Sequence, residues 1–343
     1  MTTQLKKVLI GLLFIVVLLG TFNLIFKDQS LSNILSIVQE VNPVFITIAF
    51  FMMLLFIFCD ALKLQALLTS FQQKTSLLKT LGYSFVGFYF SSITPSSSGG
   101  QPAQIFYMNK DHIHFSYASL TLLITTIIYQ AATIIYGLVM FLVNYQFIND
   151  QLEGVGVLLL ISTILNSTVV CLMVLAMFSQ RFIFRLAQWT LILLAKLRIV
   201  KHKGHAMDKT NQILNEYKRG ADYIKKHPLL IAKITGLTLL QMTALYLIPY
   251  FVYCSFDLHA HSPLQIVGAQ ALISLAVSSL PLPGGMGVSE NSFLTMFKIF
   301  FGTTIIVPAM LLSRLASFYV ILVLSAIITL IVHIKTTRKK INN

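Results

Sequence analysis

Long apolar runs separated by short polar stretches dominate this chain. Six of them, at about 8–26, 44–62, 120–145, 155–178, 229–255 and 306–334, are long enough for a transmembrane helix, which needs roughly 20 apolar residues. Two more segments, 81–107 and 264–301, are apolar but interrupted, and the interruptions use similar residues. "SSITPSSSGGQPAQ" spans Ser91 to Gln104 and "SSLPLPGGMGVSE" spans Ser278 to Glu290. Each has a Ser-Ser pair, a proline, a Gly-Gly step and then a restart of helix-compatible sequence.

Charge between the runs predicts their orientation. Lys6 and Lys7 precede the first run; 63–79 carries Lys63, Lys74 and Lys79; the tail ends with Lys335, Arg338, Lys339 and Lys340. The stretch 179–228 holds eleven Lys or Arg against three acids, whereas 146–154 has only Asp150 and Glu153, and 256–263 only Asp257. The positive-inside rule puts both termini and 179–228 in the cytoplasm. Parity then requires the 81–107 segment to return to the side it entered from, as a re-entrant hairpin with its tip near "TPSSSGG". A second hairpin, entered from the outer face and tipped at "PLPGG", satisfies 264–301; two short spans, 264–280 and 287–301, satisfy it equally.

Composition agrees. Hydrophobic residues make up 56%, charged residues 10%, and mean hydropathy is +0.81; a soluble domain is nearer a quarter charged. The net charge of +14 lies in the loops, as expected of cytoplasmic lysines, so no nucleic-acid partner is expected. Cys59, Cys171 and Cys254 are far apart in apolar stretches and read as buried thiols. The first run continues to Phe26 without a small-residue cleavage site and reads as a retained span.

Unpaired backbone in hydrocarbon costs several kcal/mol per group, so irregular segments survive there only inside protein or beside water. Two such breaks in corresponding halves, entered from opposite faces, are the sign of an inverted-repeat transporter. A helix kink with small residues for close packing is the plainer reading. A helix restarting at Gln101-Pro102 or near Gly287-Val288 would present free N–H groups and a positive dipole end, which suit a phosphate or carboxylate. Ser96, Ser97, Ser98, Ser278 and Ser279 would add hydroxyls.

Glu290 and Arg314 are the charges placed deepest in the second half's apolar segments. Each costs about 2.5–3.5 kcal/mol if unpaired at mid-membrane. They read either as a structural pair or as a site, with Arg314 on a lipid phosphate and Glu290 on a cationic headgroup or a proton. Asp60 and Lys63 read as a surface pair near the cytoplasmic end of their span. The alternate spacing of His112/His114 and His259/His261 suggests no metal site. The stretch 179–228, with Trp189, reads as a basic cytoplasmic loop or interfacial helix on anionic headgroups.

"TPSSSGGQP" at 94–102, "PLPGGMGVSE" at 281–290 and "SRLASF" at 313–318 resemble the family named for the transmembrane region of lysylphosphatidylglycerol synthase, the flippase-like domain family. The likeness spans nearly the whole chain. In full-length bacterial members a soluble domain transfers lysine from charged tRNA to phosphatidylglycerol. Their membrane domain is associated with moving the product outward, which reduces surface charge and gives resistance to cationic peptides. Gly284, Gly285, Gly287, Glu290 and Arg314 match family positions. Where relatives often have an acid and then an arginine, this chain has Gln101 and Gln104. The 179–228 stretch is too small for a transferase fold, so transferase activity is not expected of this chain alone.

The expectation is thus an all-α polytopic membrane protein, one membrane domain over 1–343 with six full spans, or eight, and two opposed broken hairpins in an inverted repeat. The first half is 1–145, broken at 81–107; the second is 155–334, broken at 264–301. A multi-pass protein of a bacterial-type plasma membrane, it is expected to move a phospholipid such as lysylphosphatidylglycerol. A phosphatidylglycerol lysyltransferase or its membrane subunit, and an ion-coupled carrier of a soluble solute, are the alternatives. The candidate translocation residues are Thr94, Pro95, Ser98, Gly99, Gly100, Gln101, Gln104, Pro281, Pro283, Gly284, Gly285, Gly287, Glu290 and Arg314. No catalytic residue, metal or cofactor is assigned. Membrane phospholipids, a separate lipid-modifying synthase and further copies of the chain are the expected partners.

Overall fold

A computed structural model of the chain describes residues 36–94, 97–147, 155–178, 221–278 and 287–341. Every regular element among them is helical. The helices are α1 (Pro43–Ser70), α2 (Leu77–Ile93), α3 (Gly100–Lys110), α4 (Phe115–Val143), α5 (Val155–Phe178), α6 (Pro228–Ser255), α7 (Pro263–Val277), α8 (Val288–Met296), α9 (Lys298–Arg314) and α10 (Val320–Ile341). A single π-helical turn, Leu315–Tyr319, joins the last two. Four helical stretches are long and apolar enough to cross a bilayer: Pro43–Ser70, Phe115–Val143, Pro228–Ser255 and Lys298–Thr336, the last kinked at Gly302. α5 carries a shorter apolar stretch, Leu159–Leu175. The expected 8–26 span and most of the basic 179–228 stretch, including Trp189, lie outside the described residues.

Starts are written in proline and side-chain caps. Pro43 opens α1 behind Asn42, whose Oδ1 accepts the Val44 amide at 3.0 Å. Pro263 opens α7 inside a reciprocal cap: the Ser262 hydroxyl accepts the Gln265 amide at 3.4 Å, and Gln265 Oε1 accepts the Ser262 amide at 3.0 Å.

α1 and α6 pack antiparallel along their length. The Asn42 amide donates to the Ser255 carbonyl at 2.9 Å at one end, and Leu67 shares a core cluster with Ile234 at the other. α2 and α3 form one hairpin, with Ser91 facing Gly100, Gly87 facing Gln104 and Lys79 reaching Asp111 at 3.3 Å. α7 and the α8–α9 start form a second: Ile273 clusters with Phe293, while the His261 and Phe300 rings lie 4.9 Å apart at its base. Arms of 17, 11, 15 and 9 residues rise about 25, 16, 22 and 13 Å, each less than a bilayer core of about 30 Å. In each broken segment the two arms pack side by side.

The bases of the hairpins lie at opposite ends of the α1–α6 pair. The first sits by the end where Phe71 stacks on Tyr117 and Gln73 Oε1 accepts the His114 amide at 3.3 Å. The second sits by the Asn42–Ser255 end, where the Tyr253 hydroxyl accepts the His261 amide at 3.2 Å. Each of these helix pairs also packs on a helix distant in the chain. Gly82 meets Val332 and Tyr107 bonds His333 on α10, while Gly137 and Asn144 of α4 meet Leu275 and Gly268 of α7.

Candidate functional site

The first break is organised by Thr94. Its hydroxyl donates to the Phe90 carbonyl at 2.6 Å and accepts the Gly99 amide at 2.9 Å, holding the chain as it turns through Ser97 at φ 53°. Gly100 then begins α3 so close to α2 that a Cβ there would lie 2.7 Å from the Gly87 carbonyl and collide with the Ser91 hydroxyl. Gln101 donates to the Thr126 hydroxyl at 2.7 Å, and buried Gln104 donates to the Tyr83 carbonyl at 3.1 Å. Both glutamines thus tie α3 to its neighbours. Ser98 lies in the same turn; Pro95 falls outside the described residues.

The second break restarts at Gly287, whose φ of 84° favours glycine. Its amide donates to Glu290 Oε2 at 2.6 Å. The other carboxylate oxygen accepts from Arg314 Nε at 2.8 Å, with the side chains only 3% and 15% exposed. The guanidinium also lies over the Phe318 ring at 5.7 Å. One buried ion pair therefore fastens the restart of α8 to the end of α9, directly before the π turn. Single π turns often mark functional positions in helices. Both Glu290 oxygens have partners within the protein.

Beside this pair is a cavity of about 50 Å³, by that measure room for a few waters. Arg314, Ser313, Ser289, Gln270, Leu245 and Pro249 are among its walls. Arg314 Nη2 and Ser313 Oγ are both buried without a hydrogen-bond partner. Pro249 lies inside α6 and has no N–H to give the Leu245 carbonyl one turn back. Two occluded donors without partners and a carbonyl that lacks its helical partner thus lie around the ion pair. The expected site residues Glu290 and Arg314 come together here, with Gly287 attached through its amide. The first-break residues do not line this cavity; Phe88, packed on Phe318 at 6.2 Å, connects their hairpin to it. Pro281, Pro283, Gly284 and Gly285 lie outside the described residues.

Asp60 and Lys63 depart from the surface pair expected of them. Lys63 is 1% exposed and donates to Gln241 Oε1 on α6 at 2.5 Å. Asp60 faces it at 3.6 Å and accepts the Ser84 hydroxyl of α2 at 2.8 Å. Position near a helix end says nothing about which face is covered, and here that face meets α6. Gln270 and Pro249 were not singled out in the sequence either, because neither is charged or next to a break, and Ser313 entered only as the first residue of "SRLASF". Among the described residues no group of three His, Cys, Asp or Glu is placed to hold a metal ion.

Two short hairpins, a buried ion pair at one break and closely packed glycines at the other fit the residues on which the family resemblance rests. No individual curated protein matches the chain. A family model does, over residues 8–325, and the chain belongs to the lysylphosphatidylglycerol synthase transmembrane-region family.

Proposed function

We propose that this protein moves a phospholipid between bilayer leaflets, with the Glu290–Arg314 cavity as its headgroup site. The buried guanidinium carries the reading. An arginine held at depth by one carboxylate, with a donor left over beside a cavity, is suited to a lipid phosphate.

The reciprocal packing supports an inverted repeat. α1, the first hairpin and α4 correspond to α6, the second hairpin and the α9–α10 helix, and each hairpin rests on the other half's closing helix. With both termini cytoplasmic, as the loop charges favour, the first hairpin enters from the cytoplasm and the second from outside. The family name favours a lipid derived from phosphatidylglycerol. Outward delivery of an aminoacylated form would lower the negative surface charge that attracts cationic peptides.

The same name favours one further reading, a membrane part of a phosphatidylglycerol lysyltransferase. The described cavity holds no engaged nucleophile or base for acyl transfer, which weighs against it.

The test is reconstitution in vesicles containing a fluorescent phosphatidylglycerol, with an impermeant quencher reporting arrival at the outer leaflet. Glu290→Gln and Arg314→Leu should slow movement about tenfold or more, the scale of a lost charge-assisted contact, while the protein still inserts. Unchanged rates in both variants would remove the site from the account.

A further inference from the structure

Residues 288–314 form two packed pieces joined at one residue. In the first, α8 and the turn after it are held by a run of rings. Phe293 stacks on Phe297 at 4.2 Å, and Phe297 meets Phe300 at 5.5 Å and Phe301 at 6.2 Å. The second piece is the helical stretch from Thr303 to Arg314. Between them Gly302 has φ 68° and ψ −173°, a region open to glycine and almost closed to other residues. A Cβ at Gly302 would meet nothing within 4 Å, so the backbone alone calls for glycine there.

The two pieces meet again at their far ends, where Arg314 Nε reaches Glu290 Oε1 at 2.8 Å. Directly after Arg314 the helix passes into the π turn Leu315–Tyr319. The Thr303–Arg314 stretch is thus an arm with an irregular joint at each end, and such joints are where helices bend. Its apolar face is packed as well: Ile306, Ala309 and Met310 share a cluster with Val252 and Ile273. In a bilayer those contacts exchange for lipid at little cost, because acyl chains are as apolar as the side chains they replace. The ion pair has no such substitute, since each charge left alone at depth needs a counter-charge or water.

The cavity lies at the mouth between the pieces, with Ser289 and Phe293 on one side and Met310, Ser313 and Arg314 on the other. At about 50 Å³ it has room for a few waters and none for a lipid headgroup. Arg314 Nη2 and Ser313 Oγ are closed off from it, buried and without partners. We infer that this arrangement is the closed state of a gate, with Gly302 as hinge and the Glu290–Arg314 pair as latch. Swinging the arm away from α8 widens the cavity and brings Arg314 Nη2 and Ser313 Oγ to its surface. The inference deepens the proposed translocation site and rests on that reading for its purpose.

Opening is read by thiol labelling of the purified full-length chain in detergent. Ser313→Cys places a small thiol at the mouth, and uptake of N-ethylmaleimide at each cysteine is followed by peptide mass spectrometry. Native Cys59, buried in the first half, is the reference for general loosening. Glu290→Gln keeps an acceptor for the Gly287 amide and takes the charge from the latch. Gly302→Ala leaves the latch and withdraws the hinge conformation. Each should label the introduced thiol about tenfold faster or more, with Cys59 unchanged. Gly236→Ala, whose Cβ also meets nothing within 4 Å, should change neither rate. Hydrogen exchange across 288–296 and 303–314, in chains that keep Ser313, should rise in the same two variants and gives a reading free of the introduced cysteine.

If either variant leaves both the thiol and the exchange at the wild-type rate, the mouth does not open at this hinge and latch, and the inference is wrong. If Cys59 speeds up to the same degree, the whole fold has loosened and the inference is wrong. Labelling uses no lipid substrate, so the two claims separate. A mouth that opens in both variants, in a protein whose vesicle assay is indifferent to Arg314→Leu, would uphold the gate and remove the translocation site.

Discussion

The Lys63 ammonium and the Gln241 amide oxygen meet at 2.5 Å across the α1–α6 interface, 178 positions apart in the chain. Each half supplies one partner, and Asp60 carries the contact on to Ser84 in the first hairpin. Removing only the acceptor leaves a buried charge short of a partner, a loss of about 1–3 kcal/mol. Gln241→Leu should therefore lower the thermal midpoint in detergent, and adding Lys63→Met should restore part of it. Additive losses in the double variant would mean that the two side chains do not interact.

Gly100 and Gly236 make a matched pair for testing helix proximity. A Cβ at Gly100 would press on the Gly87 carbonyl, whereas one at Gly236 meets nothing within 4 Å. Gly100→Ala should cost about 1–3 kcal/mol through forced backbone movement. Gly236→Ala should be neutral or gain up to about 1 kcal/mol from helix propensity. Denaturant midpoints of the two variants in the same detergent measure the difference, and equal effects would contradict the hairpin geometry.

Thr94 holds the restart of α3 through its hydroxyl, which accepts the Gly99 amide. Thr94→Val keeps the shape and loses the acceptor, at a cost of about 0.5–2 kcal/mol typical of caps, while Thr94→Ser should retain most of it. Hydrogen exchange at the Gly99 amide reports this most directly: faster in the valine variant, near wild type in the serine variant.

The base of the first hairpin ranks two contacts to one carboxylate. The Tyr83 hydroxyl, in a residue 1% exposed, donates to Asp111 Oδ2 at 2.6 Å. Lys79 reaches the other oxygen at 3.3 Å from a side chain 37% exposed. A hydrogen bond to a charged group contributes about 1.5–3 kcal/mol, an exposed ion pair about 0–1. Tyr83→Phe should thus destabilise more than Lys79→Ala in thermal unfolding, and the reverse order would contradict the burial of this base.

Most of the described helices were legible because lipid demands long apolar runs and because Gly and Pro mark their interruptions. Parity of loop charge anticipated that 81–107 returns to its own side, and the antiparallel contacts of α2 with α3 bear this out. Parity left 264–301 open between a hairpin and two short spans, 264–280 and 287–301; both place α7 beside α8, as the shared Ile273–Phe293 cluster has them. Other features were hidden for a common reason. Hydropathy cannot separate a face turned to lipid from one turned to protein, so Lys63 looked superficial and Gln241 looked like nothing at all. The break at Gly302, with φ 68° and ψ −173°, rests on a lone glycine in an apolar run, and the π turn after Arg314 contains no glycine or proline to announce it. Glu290 and Arg314 stood out because charge in an apolar run is rare; Ser313 and Gln270, neutral and small or flexible, did not.

The central claim is movement between leaflets, and the most direct measurement uses cells with and without this gene. Phosphatidylglycerol and its aminoacylated form are quantified in total and, separately, in the fraction that an impermeant reagent reaches from outside. The account predicts unchanged totals and a lower outer-leaflet fraction when the gene is deleted, restored by the wild-type chain and not by Arg314→Leu. A fall in total aminoacylated lipid with its leaflet distribution unchanged would contradict it and make the protein part of a synthase.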